Sequence, residues 1–322
     1  MGSYRRITWE DRIQIKALSE ASIKAEEIGC QLGFDRSTIY RELRRNRGGK
    51  GYRPQQAQAK AEERQEWRSQ PRKMGVEMIR TVERLIGLKW SPEQITNRLE
   101  LEGQTSVSYE TIYHHVYMDY KSGGTLFTHL RFGHRTRKPR FPRGKGDRRG
   151  IIKNALSIEQ RPDGANNRTH YGHWERDTMF GSDKKNSVLL MADRKSRFVR
   201  LGKLSRRTAD LTLAKTKELL KGLRYRTMTN DRGREFTDHE QLTADLKMPV
   251  FFCHPYSSSE RGTVENRIGI LRQYLPKGTD LKYLKHSTLR NIEEQINSRP
   301  MKCLDWKTPL EVMYGTNVAL TT

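Results

Sequence analysis

The chain has 322 residues, enough for two or three domains that each bury a core of their own. Lys and Arg number 62 against 38 Asp and Glu, and the resulting formal charge of +24 is spread over both halves of the chain, so both are expected to touch a polyanion. No run of about 18 apolar residues is present, which excludes a hydrophobic membrane-spanning helix and puts nucleic acid ahead of a lipid surface.

Cys30, Cys253 and Cys303 stand far apart with no C-x-x-C pair, so neither a disulfide framework nor a zinc module is supported. The N-terminus is basic without the apolar stretch of a secretory signal. A reducing, cytoplasmic and nucleoid-associated location is the expectation.

The stretch "TWEDRIQIKALSEA" opens a first helix, with Thr8 as N-cap and Asp11 three residues on. Ile28 and Leu32 stand four apart, Gly33 breaks the pattern, and Ile39 and Leu43 resume it, a helix-turn-helix plan over residues 1–50. Its second helix would bury Ile39 and Leu43 and present Arg36, Ser37, Thr38, Tyr40, Arg41 and Arg44, a set suited to phosphates and base edges of double-stranded DNA. A basic solvated helix in a bundle is the alternative. Residues 51–72 read as a polar helical connector.

The plan recurs over 73–120. Ser91, Pro92 and Gln94 open a helix striped by Ile95 and Leu99, and "SYETIYHHVY" repeats the "TIY" of residues 38–40. Ile112 and Val116 would face inward, leaving Tyr109, Thr111, His114 and His115 as groove contacts. Residues 121–165 form a basic linker, in which "RFGHRTRKPRFPRGKGDRRG" cannot bury a core. It is a solvated linker or, preferably, an arm laid along phosphates through Arg137, Lys138 and Arg140.

Beyond Arg149 the pattern changes. "GHWERDTMFG", "SVLLMADR" and "RFVRLGKL" read as three successive strands, followed by a helix, a fourth strand "RYRTMTN", a second helix, a strand "VFFCHP" and a helix over about 262–274. The whole is an α+β multidomain chain: all-α helix-turn-helix units, then a mixed β-sheet flanked by helices over 166–300 and a C-terminal segment over 301–322.

Three acids stand out. Asp177 lies inside the first strand, where Asp is disfavoured and costly to bury unpaired, and shares a face with Glu175. Asp231 closes the fourth strand before Gly233. Glu265 sits in the first turn of an apolar-striped helix. Each has a plain reading, a salt bridge, a turn and a helix N-terminal charge respectively. Carboxylates converging from different elements are also what hard divalent ions require.

"GHWERDTM", "TNDRGREF", "HPYSSSERGTVENRIGILRQYLPKGTD" and "INSRPMKCLDWKTPLEV" together resemble, in order and spacing, the catalytic region of bacterial insertion-sequence family thirty transposases. The resemblance implies a ribonuclease H-like fold and an Asp-Asp-Glu triad formed by Asp177, Asp231 and Glu265 holding two Mg²⁺, for which Mn²⁺ can substitute. It implies DNA strand cleavage and strand transfer at terminal inverted repeats, and a homodimer or higher oligomer that brings two ends and target DNA together. Arg261, Arg267, Arg272 and Lys277 are expected phosphate contacts near Glu265, with a solvated basic face as the alternative. Glu235 and Glu260 are rival acids, and Glu175 is a supporting residue. Arg176 stands where the family has Gly; strand alternation turns it away from Asp177, unless it adds a phosphate contact. A catalytically silent DNA-binding regulator is the competing reading, and a nuclease acting on RNA–DNA hybrids a third.

Overall fold

Helix α1 (Trp9–Glu20) begins where Thr8 and Asp11 close a reciprocal capping box, with Asp11 Oδ2 accepting from the Thr8 amide at 2.7 Å. Helix α2 (Ala25–Leu32) stops at Gly33, whose φ of 71° lies in the left-handed region. Helix α3 (Arg36–Asn46) restarts on an Asp35 cap that accepts from Ser37 N at 2.8 Å. Gly29 permits the close crossing of α2 and the turn, since a Cβ there would stand 2.7 Å from the Phe34 carbonyl oxygen. Ile15, Ile28 and Ile39 form the core, with Leu18, Leu32 and Leu43 packed around them.

Helix α4 (Pro54–Ser69) packs on α1 and α3 and does not stand apart as a connector. Arg12 Nη1 donates to Gln58 Oε1 at 2.7 Å, and Arg64 Nη2 to Asn46 Oδ1 at 2.6 Å. It belongs to the first of two compact units, Met1–Gly75 and Val76–Thr322. This computed structural model describes residues 5–49, 51–69, 74–131, 152–255 and 257–315. The expected arm residues Arg137, Lys138 and Arg140 lie outside them. Among the described residues no helix is long and apolar enough to cross a membrane.

The second unit opens with helices α5 (Val76–Gly87), α6 (Pro92–Leu101) and α7 (Tyr109–Lys121). Ser91 and Gln94 cap α6 reciprocally, and Ile95, Leu99, Ile112 and Val116 are buried as their spacing predicted. This bundle is part of the sheet-containing unit. The Arg98 fork grips both Glu311 oxygens at 2.7 and 2.8 Å, and Gln94 Nε2 donates to the Pro300 carbonyl at 2.6 Å. The C-terminal segment therefore ties the bundle to the sheet.

That sheet has six strands: β1 (Leu156–Ser157), β2 (His173–Phe180), β3 (Ser187–Asp193), β4 (Val199–Leu204), β5 (Thr227–Asn230) and β6 (Val250–Phe252). Their order is β1-β6-β5-β2-β3-β4. Strands β2, β3 and β4 pair antiparallel, while β5 and β6 run parallel to β2, so β4-β3-β2-β5-β6 is the ribonuclease H-like arrangement. The two-residue β1, absent from the sequence reading, extends the far edge. The short helix α8 (Asp163–Asn166) leads into β2.

Helices α9 (Ala209–Leu220) and α10 (His239–Leu246) cover one face, over Trp174, Met191, Met228 and Phe252. Helices α11 (Gly262–Leu271) and α12 (His286–Asn297) cover the other, over Met179, Leu190, Val199 and Leu201. At the β4 edge, Asn297 accepts from Val199 N at 2.8 Å and donates to its carbonyl at 2.9 Å, so a side chain completes the ladder. A last helix, α13 (Pro309–Tyr314), carries Glu311.

Candidate active site

Strand alternation on β2 sends Trp174 toward α9 and α10, and Glu175, Asp177 and Met179 toward α11. The parallel register pairs Glu175 with Thr229. Continued by two residues, it sets Asp177 level with Asp231 just past the tip of β5. The two carboxylates meet on one cation: Arg261, the residue before α11, stands 3.1 Å from Asp177 Oδ2 through Nη1 and 3.3 Å from Asp231 Oδ2 through Nη2.

Burial pushes the Asp177 carboxyl up to about 6, with the neighbouring Asp231 adding to the rise and Arg261 opposing it. Arg261 is itself buried, yet Asp177 and Asp231 hold its basicity above the usual arginine value despite the desolvation. Asp231 also shapes its turn, since Oδ1 accepts from Gly233 N at 2.9 Å. A Cβ at Gly233 would stand 2.5 Å from Glu235 Oε2 and 3.0 Å from Asp231 Oδ1, so a larger residue there would have to displace those carboxylates.

Glu265 is exposed on the first turn of α11, one turn beyond Arg261. Among the described residues no three His, Cys, Asp or Glu side chains stand together closely enough to hold a metal ion, so Glu265 is not gathered with the two aspartates. The pair alone fits a hard cation in its chemistry, because its oxygens only accept and two of them already share one positive charge.

Glu175 anchors the helix that bears Glu265. It is fully buried, Oε2 accepts from Val264 N at 2.9 Å in the first turn of α11, and Oε1 pairs with Arg194, whose Nε donates to the Ala165 carbonyl in α8. One strand thus carries both Asp177 and the anchor that registers α11 against it. The Glu175 and Asp177 spacing was the readable signal; nothing in the sequence pointed to Arg194.

The rival acids are engaged elsewhere. Glu260 accepts from His254 N at 2.9 Å and meets His254 Nδ1 at 2.8 Å. Glu235 accepts from Thr178 Oγ1 at 2.8 Å and Arg207 Nη1 at 3.2 Å. Arg176 does turn away from Asp177, and being buried beneath α9 it offers nothing to a phosphate. Its Nε donates to Asn230 Oδ1 and its Nη1 to Thr216 Oγ1, both at 2.7 Å, with the guanidinium over the Phe236 ring.

On α3, Arg36, Ser37, Tyr40, Arg41 and Arg44 are exposed and Thr38 is half-buried. On α7, Tyr109 and His114 are exposed and Thr111 is half-buried, while His115 hydrogen-bonds Glu83 of α5 at 2.9 Å. Of the basic residues near Glu265, Lys277 alone is open: Arg261 and Arg267 are buried, and half-buried Arg272 donates to the Phe180 carbonyl at 3.1 Å.

A chain that holds both a helix-turn-helix unit and a ribonuclease H-like sheet with paired aspartates is a DNA-processing protein, and relatives make the assignment specific. The Helix-turn-helix domain family matches residues 3–46. The transposase for insertion sequence element IS4351 of Bacteroides fragilis is 35% identical, with 95% of each chain covered. The transposase for IS1086 of Cupriavidus metallidurans is 36% identical over 96% of this chain and 94% of its own length. Transposase InsI for IS30A of Escherichia coli is 36% identical over 98% of this chain and 85% of its own. The chain belongs to the IS30 family of insertion-sequence transposases. Among solved structures, the catalytic core domain of BIV integrase is similar at TM-score 0.37 and 19% identity, covering 44% of this chain and 93% of that one. The fold assignment rests on the strand order, not on that score.

Proposed function

We propose that this transposase binds the terminal inverted repeats of its element and catalyses cleavage and transfer of DNA strands, with Asp177, Asp231 and Glu265 holding two Mg²⁺ ions. The observation that carries the reading is the pair of Oδ2 atoms, from the neighbouring strands β2 and β5, focused on one cation. Bound divalent ions would supply activation of the attacking oxygen and stabilisation of the departing 3′-oxygen. Asp177 and Asp231 set the position of the positive charge, and Glu175 fixes the helix that presents Glu265. Exposed Glu265 lies within the first turn of α11, and a metal site shared with the pair asks for withdrawal of the Arg261 fork.

Recognition falls to α3, whose exposed arginines suit phosphates and guanine edges. Joining two ends calls for at least a dimer. The Arg261 bridge favours one second reading, a catalytically silent DNA-binding regulator, because an internal cation already satisfies the acids.

One assay separates the two. The chain is incubated with a duplex carrying the element's end and Mg²⁺ or Mn²⁺, and 3′-end cleavage is followed. Asp231→Asn should abolish cleavage and strand transfer while leaving end binding within a few fold. Equal loss of binding would make Asp231 a structural residue, and a wild type without cleavage would favour the regulator.

A further inference from the structure

Helix α7 carries an exposed aromatic stripe. Tyr109, Tyr113, Tyr117 and Tyr120 are each between 45% and 52% exposed. At about 100° per residue the four fall within an arc of about 80°, on the flank beside the buried Ile112 and Val116. Successive members stand three or four positions apart, so their side chains are neighbours along the helix surface. Tyr120 also meets Phe127 edge-on at 5.0 Å, and Lys121 Nζ lies 4.7 Å over the Tyr117 ring.

Charge sets this helix apart from α3. Helix α3 has four arginines and one acid, whereas α7 has a single lysine and two acids, Glu110 and Asp119. The whole α5–α7 bundle, residues 76–121, holds seven Asp and Glu against five Lys and Arg, a formal charge of −2 inside a chain of +24. Binding to a DNA backbone depends on Lys and Arg that neutralise phosphates. This flank lacks them, so α7 is not built as a second copy of the α3 surface.

Four half-exposed tyrosines present roughly 400 Å² of side-chain surface, taking about 200 Å² for each whole side chain. A contiguous patch of a few hundred Å² on a monomer commonly marks an interaction site. Two such stripes face to face bury about 800 Å², which leaves about 200 Å² for the surrounding residues to supply before a specific interface is reached. Tyrosine is enriched at the centres of protein interfaces and Lys and Glu are depleted there. Two copies at +24 each repel one another, and a module at −2 lets them meet without opposing positive charge. We propose that the tyrosine stripe of α7 is a self-association surface, on which a second copy of this chain packs its own α7 antiparallel about a two-fold axis at the middle of the stripe. The surface does not rest on the proposed metal chemistry, and Asp231→Asn should associate as wild type does.

Sedimentation velocity of the full chain, without DNA and in salt that screens long-range repulsion, is followed over a range of protein concentrations. Wild type should pass from monomer to dimer. Tyr113→Glu sets two like charges near the axis and should raise the dimer dissociation constant at least about thirtyfold, the factor expected for a hot-spot aromatic. Tyr113→Phe keeps the ring and should stay within a few fold of wild type. Affinity of the Tyr113→Glu monomer for a DNA duplex should be unchanged. A wild type that remains monomeric throughout, or a dimer that Tyr113→Glu leaves intact, overturns the proposal. Loss of DNA affinity in Tyr113→Glu with association unaltered would overturn it too and assign α7 to DNA. Should Tyr113→Glu fail to fold, Tyr117→Ser, at the most exposed of the four positions, carries the same comparison.

Discussion

The two units lean on arginine differently, although the first also buries Arg12 against Glu42 at 2.9 Å. In the first, Arg36, Arg41 and Arg44 line the outer side of α3, over a core of Ile15, Ile28 and Ile39 that needs no charge. In the second, Arg98, Arg176, Arg194, Arg261, Arg267 and Arg299 are all buried, each at a junction between elements or against the acids. Net charge therefore misleads as a map of the DNA surface: much of the second unit's positive charge is turned inward. Outward arginines are screened by salt, whereas inward ones fix geometry and make their partners expensive to lose.

The sharpest way to break this contrast is to remove the partner of an inward arginine. Glu311 holds Arg98 at 2.7 and 2.8 Å, both side chains being nearly hidden, and its Oε2 also accepts from Thr308 N at 2.6 Å. Glu311→Ala should lower stability by about 3–5 kcal/mol in chemical denaturation, toward the lower figure because Glu102 still pairs with Arg98. A loss under about 1 kcal/mol would place Arg98 among ordinary surface pairs.

The acid pair tests the same idea through pH. The fold raises Asp177 from its ordinary 3.8 to about 6, mainly by burial, so the folded chain favours the protonated form. The stabilisation from this group is fully present below about pH 4 and is lost as pH rises through 6. Without divalent ions the decline should be about 3 kcal/mol at most, reduced because the side chain keeps 19% of its exposure. Asp177→Asn should lack that component, and the difference between the two stability–pH curves measures it. Parallel curves would mean that Asp177 is solvated as in an open chain.

What could be read in advance divides along the same line. The capping boxes at Thr8 and Ser91, the apolar spacing of Ile28, Leu32, Ile39 and Leu43, and the mid-strand oddity of Asp177 are local, and each appears in the structure. The clasp of Gln94 on Pro300, the Arg98 grip on Glu311 and the bridging by Arg261 join residues distant in the chain, and no periodicity encodes them. The basic residues near Glu265 looked like surface contacts because charge gives no sign of burial. Arg267 shares its side of α11 with buried Thr263 and Leu271, and that helical spacing was the one available warning. Strand β1 has two residues and exists only through pairing with β6, too short for an alternating pattern to show.

The smallest expected effect lies on the outward side and decides what α3 does there. Arg41 is exposed and folds back, donating to Ser37 O at 3.0 Å and Ser37 Oγ at 2.7 Å, contacts it can release at little cost. Arg41→Ala should leave the unfolding curve unchanged and weaken binding of end DNA by about 1–3 kcal/mol if the guanidinium reads a guanine, with little effect on unrelated duplexes. If it touches a phosphate, all duplexes should weaken alike, and the slope of log affinity against log salt should shrink by about one. Anisotropy titrations at several salt concentrations distinguish these outcomes. An unchanged affinity on every duplex would remove this face of α3 from the DNA interface, and with it the contrast between outward and inward arginines.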